Sequence, residues 1–229
     1  MPDDLRRAAS VEDLHALAAG RLDDNAYDYY RSGAGTEWTL RENEAAYRRW
    51  TFAKQVLVDV SAPDLSVDLL GTRLDVPVVV APTAMHQLAD PDGEVATALA
   101  TRDRGSLMVV STLGNRPLED VAATGVPRWF QLYVQKDRGA TRELVDRVVD
   151  AGYTALALTV DTPELGNRWS DVRRPFTMPD GLGLGNLGNS DPSAGGAGLK
   201  GFASAFDPTL DWSALEWLAG ASGLPVLVK

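Results

Sequence analysis

The chain of 229 residues has no cysteine, which excludes disulfides, thiolate nucleophiles and cysteine-held metals and leaves the redox compartment open. Its only histidines are His15 and His86, so a histidine-rich metal centre is not expected. Positive charge is in deficit: 22 Lys and Arg stand against 32 Asp and Glu, a net charge of -10. Nucleic acid and anionic membrane surfaces would be repelled at long range, and neither is an expected partner. A small anionic substrate remains open, because it responds to local charge. No apolar run approaches the roughly 20 residues of a membrane span. The opening MPDDLRRAASVEDL has no apolar signal core, so a cytoplasmic location is the default expectation. What is present, 45% hydrophobic and 24% charged residues, suits a soluble globular protein with ample core material.

Residues 1–76 read as N-terminal helices followed by a hairpin. Ser10 with Asp13 forms a capping box that opens a helix carrying Leu14, Leu17 and Ala18 on one face. A second helix is predicted from about Asp24 to Ser32, ending at Gly33, and a third from Thr36 through Leu40, Asn43 and Tyr47. Ser66–Leu70 and Arg73–Val76 flank Gly71-Thr72 as a short hairpin, a layer able to cover the N-terminal mouth of a barrel.

From residue 77 to residue 229 strands and helices alternate. The predicted strands are Pro77–Ala84, Leu107–Thr112, Trp129–Val134, Ala155–Asp161 and Pro225–Lys229. Asp90-Pro91 supplies an N-cap and first-turn proline for a helix through Arg104. Further helices span Pro117 to Ala123, a stretch with Leu144, Val145, Val148 and Val149 in one stripe, and Asp211–Ala221. Strands nearly continuous in Val, Leu and Ala fit a parallel sheet buried on both faces. The segment at about 179–206 turns rich in Gly, Asn, Ser and Pro and reads as a mobile flap over the C-terminal face of the sheet. It holds a literal G-x-G-x-x-G, Gly183 to Gly188, but without the strand before and helix after that a nucleotide site requires.

Polar residues close the strands: Thr83, Ser111, Gln131, Tyr133, Thr159, Asp161 and Lys229. Enzymes built on (β/α)8 barrels keep their chemistry at that end. Residues two apart share a strand face, which pairs Gln131 with Tyr133 and Thr159 with Asp161. Polar groups in apolar strands need partners, either one another in a structural network or a polar ligand at the mouth. Lys229 reads as a solvated strand end or as a functional cation. For Arg168 and His86 the bland readings, a surface loop cation and a polar loop residue, come first.

Together these segments resemble the flavin-dependent 2-hydroxy-acid oxidase and dehydrogenase family, which includes glycolate oxidase, lactate oxidase and mandelate dehydrogenase. The resemblance runs from about Val11 to Lys229 and rests on seven ordered segments. They are Tyr27–Ala34, Thr39–Asn43, Ala81–Ala84, Asp90–Glu94, Gln131–Tyr133, Leu158–Pro163 with Leu165, Gly166 and Arg168, and Leu224–Lys229. It implies an FMN-linked TIM (β/α)8 barrel, present here through strand five, that oxidises a 2-hydroxy acid at C2. By motif, the backbone of Pro82, Thr83 and Ala84 lies beside the flavin, and Ser111, Gln131 and Thr159 bond its polar edge. Lys229 sits where negative charge accumulates on reduction. Tyr29 and Arg168 hold the substrate carboxylate, with Arg168 as a forked donor. Tyr133 bonds the substrate's polar end, and Asp161 orients a catalytic histidine. Leu113 stands where glycolate-oxidising members carry a tryptophan, which leaves room for a larger, mandelate-type side chain, although aliphatic acids such as lactate also fit.

The family's histidine follows strand five and is absent from this sequence, as are its second carboxylate-binding arginine and its flavin phosphate site. Five strands cannot close a barrel of eight, and the fifth would present an unpaired apolar edge. The expectation is therefore a fragment, or one half of a two-chain barrel, inactive until a C-terminal half or second chain completes it. The complete form is expected to be a homo-oligomer, as the family tends to be. The alternative is a noncatalytic truncated homologue or interaction subunit that keeps the motifs.

Overall fold

The short apolar runs of the computed structural model pair side by side into one parallel sheet; the described residues are 3–162, 164–188 and 199–229. A hairpin, β1 (Val67–Leu69) and β2 (Thr72–Leu74), precedes β3 (Val79–Val80), β4 (Leu107–Ser111), β5 (Arg128–Leu132), β6 (Leu156–Leu158) and β7 (Val226–Val228). The helices are α1 (Asp3–Arg7), α2 (Val11–Ala19), α3 (Asp24–Arg31), α4 (Trp38–Ala45), α5 (Glu94–Arg102), α6 (Leu118–Ala123), α7 (Arg138–Asp150), α8 (Trp169–Arg173), α9 (Leu199–Ser204) and α10 (Ser213–Ser222). Among the described residues no helix is long and apolar enough to cross a membrane.

The sheet order is β3-β4-β5-β6-β7, every pair parallel, so each strand lies beside its successor in sequence. A regular β/α alternation with no strand skipped is an arc of a (β/α)8 barrel. Alternation along the strands separates two faces. Leu107, Val109, Trp129 and Ala155 form a buried cluster with Leu74 of β2, and Val67, Leu69, Val79, Ala157 and Leu227 pack against it. The hairpin therefore covers one face of the sheet near the strand starts. The other parity, Met108, Val110, Phe130, Leu132, Leu156 and Leu158, is also buried, and α5 and α10 pack on β4 and β7.

Two packing units emerge, Met1–Thr51 with Gly166–Thr177, and Phe52–Leu165 with Met178–Lys229. This differs from a division at residue 76. The hairpin joins the sheet because its apolar face is buried there, while Gly166–Thr177 joins the N-terminal helices through bonds such as Asn25 Nδ2 to the Thr177 carbonyl, 2.8 Å.

Ser10 caps α2 with the expected reciprocal box. Three boundaries move. The hairpin turn is Leu70-Gly71, both left-handed (φ 49° and 78°), one residue earlier than predicted. Such a turn matches the twist of the strands it joins. Helix α4 starts after a left-handed Glu37 rather than at Thr36. Helix α5 starts at Glu94, because Asp90 spends its carboxylate on the Asp92 N–H and its carbonyl on the Gly93 N–H, closing a separate turn. The strands are shorter than their apolar runs, since a ladder extends only where a neighbour lies alongside. Beyond Leu158 only single backbone bonds continue, Thr159 to Leu132 at 3.0 Å and Val160 to Lys229 at 2.9 Å.

The Gly-rich segment is anchored at its start instead of being a loose flap. Leu184, Asn186 and Leu187 are buried, and Gly185 donates to the Gly114 carbonyl at 2.9 Å. Asn186 caps α6 from a distance: its Oδ1 accepts the Leu118 N–H at 2.8 Å, and its Nδ2 donates to the Ser111 carbonyl at 3.1 Å. Helix α6 has no side-chain cap of its own, so this remote amide satisfies a group left open at every helix start. A Cβ on Gly185 would stand 2.5 Å from the Asn115 carbonyl oxygen, which explains the glycine. Residues 189–198 of the expected flap lie outside the described residues.

Candidate functional site

The tips of β4, β5 and β6 carry a continuous polar row. Ser111 Oγ donates to Gln131 Oε1 at 3.1 Å, and Gln131 Nε2 donates to Thr159 Oγ1 at 2.8 Å. All three side chains are buried. Ser111 Oγ also accepts the Leu113 N–H at 3.1 Å. Thr112, on the opposite parity, ties the same tips by donating to the Gln131 carbonyl at 2.7 Å and accepting the Tyr133 N–H at 3.1 Å. Lys229 lies beside Thr159: its N–H donates to Leu158 O at 2.8 Å, while its side chain is exposed.

Tyr133 continues the β5 tip. Its ring stacks on Phe206 with centroids 4.4 Å apart and planes 15° apart. Burial pushes the phenol's pKa up, a hydrogen bond with Thr162 offsets part of this, and the Asp161 charge adds to the rise. A phenol held above its ordinary value of about 10 is neutral at neutral pH, and Asp161 is exposed. A cavity of about 190 Å³ lies beside Tyr133 and Phe206, lined also by Leu158, Val160, Thr162, Trp212, Leu215 and Val228.

At the end of β3, Pro82 and Ala84 are half-buried and Thr83 is exposed. The next residue, Met85, is left-handed (φ 58°), and its N–H bonds the carbonyl of Leu113, whose side chain is buried. Glu94, fully buried, fastens these loops. Its Oε1 accepts the N–H of His86 (3.1 Å) and Asn115 (3.0 Å), and its Oε2 that of Arg116 (3.0 Å). His86 opens a short 3-10 turn, His86–Leu88, and is bonded through Nδ1 to Thr97 Oγ1 at 2.9 Å, with Nε2 buried and lacking a hydrogen-bond partner.

In the N-terminal unit, Arg168 Nη2 donates to the carbonyls of Tyr29 (2.7 Å) and Ser32 (2.6 Å) and to Ser32 Oγ (2.8 Å). Its guanidinium stands 5.6 Å from the Tyr29 ring centroid. One prong of the expected fork is thus committed to the end of α3, while Nε is buried without a hydrogen-bond partner. Arg168 is more than a surface loop cation.

The row Ser111–Gln131–Thr159 and the pair Tyr133–Asp161 each gather in the sheet unit, and Tyr29–Arg168 in the other. Sequence reasoning missed Glu94, Asn115, Asn186, Thr112 and Thr162. Of these only Glu94 carried a signal, as an acidic residue in the first turn of a predicted helix; the others look like ordinary loop or strand-end residues. No cluster of His, Cys, Asp or Glu suited to a metal occurs among the described residues.

The sequence profile of the FMN-dependent dehydrogenases matches residues 18–229. Glycolate oxidase 3 of Arabidopsis thaliana is 44% identical over 227 residues, covering 96% of this chain and 61% of that protein. L-lactate oxidase of Nostoc sp. is 47% identical over 224 residues, covering 93% and 61%. Among solved structures, a mandelate oxidase superposes with a TM-score of 0.88 at 34% identity, covering 96% of this chain and 62% of that one. The chain thus spans about three-fifths of the length of these relatives, consistent with a barrel present through its fifth strand. Profile, relatives and the parallel five-stranded arc agree: this chain belongs to the FMN-dependent dehydrogenase family, whose cofactor is FMN.

Proposed function

We propose that the chain forms the larger part of an FMN-dependent 2-hydroxy-acid oxidase or dehydrogenase, converting a mandelate-type or aliphatic 2-hydroxy acid to its 2-oxo acid. The observation that carries this reading is the row Ser111–Gln131–Thr159 at adjacent strand tips, with Lys229 next in line. The row fits the polar edge of a flavin in kind. Gln131 spends one amide hydrogen on Thr159, whose hydroxyl hydrogen is not needed to accept that bond. Gln131 and Thr159 each keep one donor for a ring that alternates donors and acceptors, while Ser111 spends its hydroxyl hydrogen on Gln131.

FMN, when bound, accepts the two electrons that leave C2. Pro82, Thr83 and Ala84 would border it. Lys229, whose side chain is exposed at the next strand tip, would supply a positive charge at its polar edge, where charge develops during reaction. The neutral Tyr133 phenol donates to the substrate's polar end, and Tyr29 with Arg168 binds the carboxylate, using the unpartnered Nε. Leu113 leaves space for the substrate side chain. Asp161 orients a histidine base that a C-terminal barrel half or second chain contributes, so turnover requires that complement.

The test uses this chain with the C-terminal portion of the Nostoc lactate oxidase that it does not match. The assembled pair is expected to hold FMN and to lose its yellow colour anaerobically with mandelate, lactate or glycolate. A yellow pair that none of the three bleaches removes the substrate class. FMN binding and bleaching by this chain alone removes the need for a complement.

A further inference from the structure

The stack of Tyr133 on Phe206 has a backbone origin. Past β5 the chain runs on through Val134 and Gln135, and the residues leaving α9 lie antiparallel beside it. Gln135 bridges Phe206, the Lys136 N–H donates to the Ala205 carbonyl at 3.0 Å, and the Asp207 N–H donates to the Val134 carbonyl at 2.9 Å. Arg138 Nη2 donates to Asp207 Oδ2 at 2.7 Å and closes the far side. Phe206 is therefore fixed through both of its chain neighbours, and it is 8% exposed. Its ring lies within 15° of parallel to the Tyr133 ring, with centroids 4.4 Å apart.

We propose that Phe206 is a positioning residue for Tyr133: its ring sets the plane in which the phenol is presented, without itself touching substrate. The proposal rests on the reading of Tyr133 as a substrate donor and names what aims it. The second torsion of a tyrosine is broad, so a ring at a strand tip has no fixed plane of its own. A stacked aromatic neighbour supplies one, and adds attraction beyond the area it covers. General packing does less here, because the cavity beside the two rings leaves that side without contact atoms. The bond with Thr162 then directs the hydroxyl. The charged groups that face the pair are Asp161 after β6 and, across the cavity, Asp207 and Asp211. Asp207 is engaged by Arg138 and Thr209, and Asp211 by Ser213, so neither turns the phenol.

The experiment compares Phe206→Leu, Phe206→Trp and Leu215→Ala in this chain, with Tyr133→Phe to assign the Tyr133 signal. Leucine keeps most of the apolar volume and removes the flat face. Tryptophan keeps a flat face and has the neighbouring cavity to expand into. Leu215→Ala enlarges that cavity from α10 and leaves the stack in place, which separates lost packing from lost aim. In an ultraviolet difference titration Tyr133 is expected to ionise earlier in Phe206→Leu, toward the ordinary value of about 10, and to stay late in the other two. In the chain assembled with the unmatched C-terminal portion of the Nostoc lactate oxidase and FMN, Phe206→Leu is expected to lower kcat/KM about 3- to 10-fold, and Phe206→Trp to restore most of it. The double variant Tyr133→Phe, Phe206→Leu is expected to fall no lower than Tyr133→Phe alone, because one residue acts through the other. A Tyr133 that titrates late in Phe206→Leu, or early in Leu215→Ala as well, overturns the proposal. So does a pair in which the two substitutions lower kcat/KM independently. An unaltered pair that never turns over removes the enzymatic reading and not the stack, on which the titration still decides.

Discussion

The side-chain amide of Gln131 donates to the hydroxyl of Thr159 at 2.8 Å, so a residue at the tip of β5 fixes one just past the end of β6. Ser111 on β4 joins through the other end of the same amide. One glutamine therefore ties three strands on the face that the proposed cofactor uses.

Gln131→Leu is expected to destabilise the chain by about 1–3 kcal/mol, since it leaves the buried Ser111 and Thr159 hydroxyls short of a partner. A urea melt measures this. A midpoint equal to that of the unaltered chain would mean that the hydroxyls find other partners and the row is not structural.

Gly185→Ala is expected to cost about 1–3 kcal/mol, because the new methyl meets three backbone atoms between 2.5 and 2.8 Å away. Gly20→Ala serves as the contrast, with its nearest contact at 3.8 Å. Thermal melts of the two variants should separate. If both behave alike, the anchoring of the Gly-rich segment is looser than its contacts indicate.

Two of the six tyrosines, Tyr133 and Tyr153, are expected to titrate late. Burial raises both phenols above the ordinary value of about 10. Their contribution to stability is complete below about pH 10 and is lost as the pH climbs toward the folded values. Ultraviolet difference titration should show the late fraction, and Tyr133→Phe should reduce it. An alkaline curve with all six titrating together at the ordinary value contradicts the burial argument.

Glu119 and Arg147 form a two-pronged ion pair at 2.8 and 2.9 Å, and the hydrogen bonding from Arg147 holds the carboxyl's pKa below its ordinary value. The stabilisation is present above about pH 4.3 and fades as pH falls through the lower folded value. Both side chains are more than a third exposed, so the effect is small, about 0.2–1 kcal/mol, and shrinks with salt. Glu119→Gln should flatten the acid limb of a stability–pH curve at low ionic strength. A limb unchanged in slope would show that the pair contributes nothing measurable.

Local patterns carried much of the fold. The capping box at Ser10, the stripe Leu144, Val145 and Val148, and the apolar runs ending at Ser111 and Leu158 each write their element into a few neighbouring residues. Boundaries drifted where neighbours decide them. Ala155–Asp161 reads as one strand, but its ladder stops at Leu158. The candidate site was legible in part: the polar strand ends could be named, but a network and a ligand site look alike until the partners are seen. The structure supplies the network, and Arg168 is held against Tyr29 and Ser32 across more than 130 residues of chain.

The sequence by itself determined the order of strands and helices, the parallel and doubly buried character of the sheet, and which residues close each strand. Those properties are periodic or adjacent, and a chain expresses them over spans of a few residues. Only the tertiary structure decided that Asn186 caps a helix 68 residues before it, that Glu94 gathers the N–H groups of two loops, and that Gln131 joins Ser111 to Thr159. The physical reason is that a buried polar group must find a partner wherever the fold brings one near, and nothing in its own neighbourhood records which partner that will be.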